Sequence, residues 1–299
     1  MKKLRGAFTA LVTPMNNDGS VDYEGFKRLV RFQLESGISG IVPLGTTGET
    51  PTLDESEEEI LIDIAIAEAK GKVPVIVGAG SNNTKDAVRY VQRAKDKGAD
   101  YALVVTPYYN KPTDEGIYRH FAACCEVGLP IIVYNIAGRT GKNICTALLA
   151  RIAELPNIAG VKEASGDIGQ MMDVLATIAA KKPNFTVLSG DDALCLPLAA
   201  LGGDGVISVV SNIEPARITE LALAAISGDL EKARKLHYKL LPAFKAAFIE
   251  TNPVPIKAAM NMKGLPAGSL RLPLCPLQKE NEAPLRAAME AAGILKNEL

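Results

Sequence analysis

Eight short apolar runs, interleaved with segments of helical periodicity, predict a (β/α)8 TIM barrel, and the residues left over predict a C-terminal helical region. The runs cover residues 7–12, 40–44, 73–78, 101–106, 130–134, 158–162, 186–189 and 205–209. Each is continuous and rich in Val, Ile and Leu, as parallel strands covered on both faces are. Strand–helix units recur at about thirty residues each, the size of one βαβ repeat. The glycine-rich dinucleotide loop expected after the first strand of a doubly wound sheet is absent.

The helical segments are clearest over residues 21–37, 55–70, 84–97 and 168–181. Asp22, Asp54 and Thr84 stand where N-caps belong, and Gly37, Gly71 and Gly98 stand where helices end. The barrel is complete at residue 209, and the chain beyond it is too long for one closing helix. Residues 215–227, 230–247, 253–262 and 284–292 read as further helices, punctuated by Pro253, Pro255, Gly264, Pro266, Gly268, Pro273 and Pro276. The expected organisation is a catalytic barrel over residues 1–225 and a helical region over 226–299 packed on it.

Composition narrows the function. With 33 basic and 34 acidic residues well mixed among 299, the formal net charge is −1, so no tract suits nucleic acid or an anionic membrane. A small-molecule ligand is the expectation. The five cysteines, Cys124, Cys125, Cys145, Cys195 and Cys275, have no metal-type spacing and make a poor disulfide framework, so they are expected as reduced core residues. His120 and His237 lack the partners of a triad or a metal site and are expected at the surface. No run reaches transmembrane length, and polar residues interrupt the N-terminal apolar stretch too early for a signal peptide, which points to the cytoplasm.

Active sites of such barrels lie at the C-terminal ends of the strands. The sixth run ends Gly160-Val161-Lys162-Glu163-Ala164-Ser165-Gly166-Asp167. A lysine in an apolar strand is driven toward its neutral amine, a nucleophile that forms Schiff bases with carbonyls. The competing reading is a lysine that snorkels from a strand end. Gly45-Thr46-Thr47-Gly48-Glu49 comes after the second run, and its amides suit a carboxylate. Thr106-Pro107-Tyr108-Tyr109-Asn110 comes after the fourth and forms a stiff aromatic loop. Tyr134 ends the fifth, one unit before Lys162, where a phenol can carry the proton transfers of imine formation, and Arg139 beyond it can clamp a carboxylate. Alternation points Glu163 away from the interior, into a structural role.

Taken together in this order, these four motifs resemble the dihydrodipicolinate synthase family of pyruvate-dependent Schiff-base (class I) aldolases, over essentially the whole chain. The resemblance implies a lyase condensing pyruvate with L-aspartate 4-semialdehyde at the entry to lysine and diaminopimelate synthesis. Lys162 would form the imine, with the pyruvate carboxylate on the Thr46–Thr47 amides. Tyr134 would relay protons through Thr47 and through Tyr109 of a neighbouring subunit. Arg139 would bind the semialdehyde carboxylate, and the main chain of Ile207 would line the pyruvate pocket. A homotetramer, a dimer of dimers, without cofactor or metal is implied.

Two departures stand out. Ile136-Ala137-Gly138 replaces a loop that usually carries proline, which predicts weaker pre-organisation of Arg139. Glu55 and Glu58 stand where lysine-inhibited relatives have histidine, although Asn82, Asp86 and Tyr108 suit an allosteric lysine site; the balance favours weak or absent inhibition. The alternatives are a sugar-acid or N-acetylneuraminate-type aldolase, against which Arg139 and the doubled threonine and tyrosine argue, and a catalytically silent keto-acid-binding regulator.

Overall fold

The computed structural model describes residues 3–296. All eight apolar runs become parallel strands: β1 (Gly6–Ala10), β2 (Gly40–Val42), β3 (Ile76–Gly78), β4 (Tyr101–Val105), β5 (Ile131–Asn135), β6 (Ile158–Glu163), β7 (Thr186–Ser189) and β8 (Gly205–Ser208). They pair in the order β2-β1-β8-β7-β6-β5-β4-β3. A parallel bridge between Ile41 and Val75 and a bond from Gly78 N to Pro43 O at 3.0 Å bring β2 to β3, so the barrel nearly closes. That seam depends on a missing side chain. A Cβ on Gly78 would stand 1.8 Å from the Leu44 carbonyl oxygen, so only glycine lets the two strand exits meet.

Side chains alternate between two cores. Phe8, Val42, Ile76, Leu103, Ile132, Leu188 and Ile207 fill the barrel, while Ala7, Ile41, Val77, Val104, Val133, Val187 and Val206 face the helices. On β6 the alternation breaks. Ile131 pairs with Ile158 but Ile132 pairs with Gly160, so one extra residue is inserted. Ile158 and Val161 both pack outward although three positions apart, and Ala159 packs inward. Strict alternation from Ile158 would have turned Lys162 toward the helices. The bulge reverses the parity of the strand beyond it and pairs Lys162 with Tyr134.

The helices are α1 (Tyr23–Glu35), α2 (Glu55–Ala69), α3 (Thr84–Lys97), α4 (Asp114–Cys125), α5 (Ala137–Thr140), α6 (Thr146–Ala153), α7 (Ile168–Val174), α8 (Cys195–Ala200), α9 (Pro215–Ser227), α10 (Leu230–Ala246), α11 (Val254–Met262) and α12 (Lys279–Ala291). Asp22 caps α1, and Asp54 with Glu57 forms a reciprocal capping box on α2. The cap of α3 is Asn83 rather than Thr84, whose hydroxyl instead meets His120 Nδ1 at 3.0 Å. Beyond Val174 the α7 segment continues as a π-helical turn over Leu175–Ala179, where one regular helix was expected. Pro284 lies inside α12 instead of opening it. No helix among the described residues is long and apolar enough to cross a membrane.

Three polar expectations are corrected by packing. His120 is 2% and His237 8% exposed, so neither is a surface residue. Each meets an aromatic ring edge-on, Phe121 at 5.6 Å and Phe244 at 5.8 Å, and burial pulls the His120 pKa down to about 4. All five cysteines are free, but only Cys124, Cys125 and Cys195 are core residues; Cys145 and Cys275 are exposed.

Candidate active site

At the C-terminal mouth, β5 and β6 present Tyr134 and Lys162 side by side, with the amine 4.1 Å from the centre of the phenol ring. Lys162 is buried, and among the described residues its amine meets no hydrogen-bond or ion-pair partner. Desolvation therefore dominates and lowers its pKa to about 7; Asp192 opposes the shift and Arg139 adds to it. Near neutral pH much of the amine is unprotonated. Burial pushes Tyr134 the other way, up to about 12, so the phenol keeps its proton and can lend it.

The loop beyond β2 is shaped by strain at both ends. Leu44 (φ 57°) and Glu49 (φ 55°) occupy the left-handed region that favours glycine, and between them Thr46–Gly48 form one 3₁₀ turn. The amides of Thr46 and Thr47 open that turn, where a helix leaves its first N–H groups without carbonyl partners. The Thr46 side chain lies by the Tyr134 hydroxyl and pulls its pKa down against burial. Thr47 Oγ1 instead accepts from Asn252 Nδ2 at 2.9 Å. The two threonines of the turn thus differ in surroundings: Thr46 lies by the phenol, and Thr47 accepts from the C-terminal region.

That region clasps the turn from outside. Lys257, 1% exposed, donates to Glu49 Oε1 at 2.7 Å, to Thr13 O at 3.0 Å and to Ser269 O. Arg271 N donates to Glu49 Oε2 at 3.1 Å, and its guanidinium forks onto Glu57. Arg139 sits on the single turn α5, and its Nη2 donates to Asn252 O at 3.0 Å. Glu49 stands in the motif after the second run with no role of its own legible there, and Asn252 and Lys257 lie outside every motif. The one signal was a lone lysine in the apolar segment Val254–Met262, a pattern as unusual as that around Lys162.

The other expected residues divide. Ile207 lies inside the barrel, paired with Phe8 on β1. Tyr109 has φ 70° and is 88% exposed, so it does not pack into this chain's own pocket. Asn82, Asp86 and Tyr108 lie apart from Lys162 around the start of α3. There Asn110 Nδ2 donates to Asn82 O at 2.9 Å, and Asp86 accepts from Asn83 and pairs with Arg89. Glu55 is paired with Arg89 at the surface, and the buried Glu58 with Arg93. Glu163 is fully buried on the outer face of β6, where it accepts from Asn135, Ser165 N and Gln170 and braces the turn beyond Lys162. Among the described residues no group of three or more His, Cys, Asp or Glu is arranged to hold a metal.

The model of the dihydrodipicolinate synthetase family matches residues 3–292. The chain belongs to this family. Among family relatives, the 4-hydroxy-tetrahydrodipicolinate synthase of Protochlamydia amoebophila is 54% identical over 283 residues, 94% of either chain. The crystal structure of dihydrodipicolinate synthase from Thermotoga maritima superposes with a TM-score of 0.95 at 47% identity, covering 98% of this chain and 99% of that one. The chloride-inhibited enzyme from Acinetobacter baumannii, complexed with pyruvate, superposes at 0.94 with 42% identity, covering 98% and 100%.

Proposed function

We propose that the chain is a lyase that condenses pyruvate, held as a Schiff base on Lys162, with L-aspartate 4-semialdehyde to give 4-hydroxy-tetrahydrodipicolinate, the entry to lysine and diaminopimelate synthesis. One observation carries this reading: an unpartnered, buried amine at a barrel mouth, with a phenol ring 4.1 Å away. The 54% identity to a relative of that activity supplies the reaction.

In the proposed sequence, the Lys162 amine adds to C2 of pyruvate, whose carboxylate rests on the Thr46 and Thr47 amides beside the main chain of Ile207. Tyr134 protonates the carbinolamine oxygen, which leaves as water, and is reprotonated through the threonine pair, Thr47 together with Thr46 beside the phenol. The released water takes a proton from the pyruvate methyl, to be returned to the aldehyde oxygen, and so leaves the enamine. Its carbon attacks the aldehyde of the semialdehyde, whose carboxylate Arg139 holds. The substrate's own amine then displaces Lys162 and closes the ring. Thr47 keeps the turn in place through Asn252.

Tyr109, exposed on strained backbone, is proposed to complete the relay in the pocket of a second copy, within a homotetramer built as a dimer of dimers. A cytoplasmic location accords with five free cysteines. Asn82, Asp86 and Tyr108 are proposed as the contacts of any regulatory lysine, with weak or absent inhibition expected because Glu55 and Glu58 stand where inhibited relatives have histidine.

The test is borohydride reduction in the presence of pyruvate, with peptide mass measurement on the product. An adduct on Lys162, absent in Lys162→Ala and discharged by aspartate 4-semialdehyde, is expected. Discharge by an aldose such as N-acetylmannosamine but not by the semialdehyde would move the chain to the sugar-acid aldolases, and no adduct would end the Schiff-base reading.

A further inference from the structure

The loop beyond β7 carries a buried acid that the proposed steps leave idle. Asp192 is 2% exposed. Its Oδ2 accepts from Val209 N at 2.9 Å and Val210 N at 3.1 Å, at the exit of β8. Its Oδ1 is buried and has no hydrogen-bond partner. Leaving a carboxylate oxygen so is unfavourable, and such groups are uncommon in folded proteins without a task. Two consecutive amides on one oxygen hold the carboxylate at the exit of β8 and leave its other oxygen unpaired.

The same loop packs on the stem of the nucleophile. Leu188 of β7 pairs with Lys162. Gly190, two residues before Asp192, lies so close that a Cβ there would stand 3.1 Å from Lys162 Cε and 2.6 Å from Ala164 Cβ. A side chain at 190 would push the amine aside, and glycine leaves the lysine between β5 and the loop that carries the acid.

We propose, on the reading that Lys162 forms the pyruvate imine, that Asp192 is a positioning residue whose free oxygen balances the positive charge of the Lys162 nitrogen in the iminium. When the carbinolamine loses water, the nitrogen is left with one hydrogen, a double bond to C2 and a positive charge. Asp192 gains and loses no atom in that step. It supplies a fixed opposite charge in a site from which water is largely excluded.

The surrounding charges agree. Lys162 on β6 is the buried cation on which the loop packs, and Arg139 acts on it from α5. Asp191, on the same loop, adds a like charge, while the Ser208 hydroxyl at the end of β8 favours the charged form of Asp192. Cys195 at the start of α8 keeps its proton because burial raises its pKa. Asp192 raises the Lys162 pKa against desolvation, while burial pushes Asp192 itself up to about 6. Removing the negative charge therefore lowers the amine pKa and moves the acid limb of imine formation to lower pH, while less iminium accumulates.

The experiment is pyruvate–borohydride trapping on Lys162 across pH, on the full chain, for the wild type, Asp192→Asn, Asp192→Ser and Asp192→Glu. Asparagine keeps both backbone hydrogen bonds through its amide oxygen; serine is a second neutral variant in case one folds poorly. In the neutral variants the acid limb should move down by about one pH unit or more. Trapped adduct at equal pyruvate should fall about tenfold, a loss that about 1.4 kcal/mol of lost charge balance produces. Asp192→Glu, which retains the charge, should keep its limb near that of the wild type. The proposal is overturned if Asp192→Asn and Asp192→Ser trap as the wild type does with an unmoved limb, if Asp192→Glu shifts as far as they do, or if only the KM for the semialdehyde changes. A wild type that forms no adduct sinks the Schiff-base reading itself, a separate result.

Discussion

Two lysines are buried at the mouth of this barrel, and their surroundings could hardly differ more. Lys257, in the C-terminal clasp, gives its ammonium to a carboxylate and two backbone carbonyls. Burial lowers its pKa, but Glu49 pulls the other way and the charged form has a partner for every proton. Lys162 has the face of a phenol and no hydrogen-bond acceptor among the described residues, and falls to about 7. Burial alone makes neither a nucleophile nor a strut. The partner set decides, and here it divides one residue type between chemistry and architecture.

Replacing each lysine by methionine should separate the two most sharply. Lys162→Met is expected to abolish the pyruvate adduct and lower activity at least about 10⁴-fold. It should also stabilise the chain. The Lys162 pKa is lower in the folded state than in the unfolded one, so near pH 7 folding removes a proton the amine would otherwise keep, and stability rises with pH from about 7 toward the ordinary lysine range. At about 1.4 kcal/mol per unit, discounted for residual solvent, removing that penalty is worth about 2–4 kcal/mol in denaturant unfolding. Lys257→Met should do the reverse, losing about 3–5 kcal/mol because Glu49 is left buried and uncompensated. Equal signs in the two unfolding experiments would break the comparison.

The remaining tests sharpen it at the Lys162 end. Tyr134→Phe should lower kcat about 10²–10³-fold while the KM for pyruvate moves much less, since the hydroxyl moves protons and does not bind the carboxylate. Imine formation by the wild type should drop about tenfold per unit as pH falls below about 7, because only the neutral amine attacks; a flat profile down to pH 5 would contradict the assigned pKa. The smallest effect tests the link between the two regions. Asn252→Ala should reduce kcat/KM about tenfold, the loss of one buried hydrogen bond to Thr47, with the Lys162 adduct still forming.

Much of this is legible in the chain. The thirty-residue period of apolar runs announces a barrel because each unit is stabilised locally, by its own caps and its own two-sided burial. Lys162, Tyr134, the threonine pair and Arg139 can be singled out because a barrel gathers the residues after each strand at one rim. The histidines and Thr84 are illegible for the complementary reason: burial of His120 between α3 and α4, burial of His237 on α10, or a cap shifted by one residue leaves no periodic trace.

The rest is a matter of parity and distance. One inserted residue in β6 turns Lys162 from the helix layer into the barrel, and no pattern of residue types marks it, since a slip of one position exchanges the two faces of a strand. The bond between Asn252 and Thr47 joins residues 205 positions apart, and that between Lys257 and Glu49 joins residues 208 apart. Asp192 meets the exit of β8 because β7 and β8 pair side by side. Residue order alone dictates the repeating scaffold and the groups at its rim. The closed barrel dictates which threonine meets Asn252, which lysine has a partner and which is left to react, because those outcomes rest on contacts that exist only once distant segments are brought together.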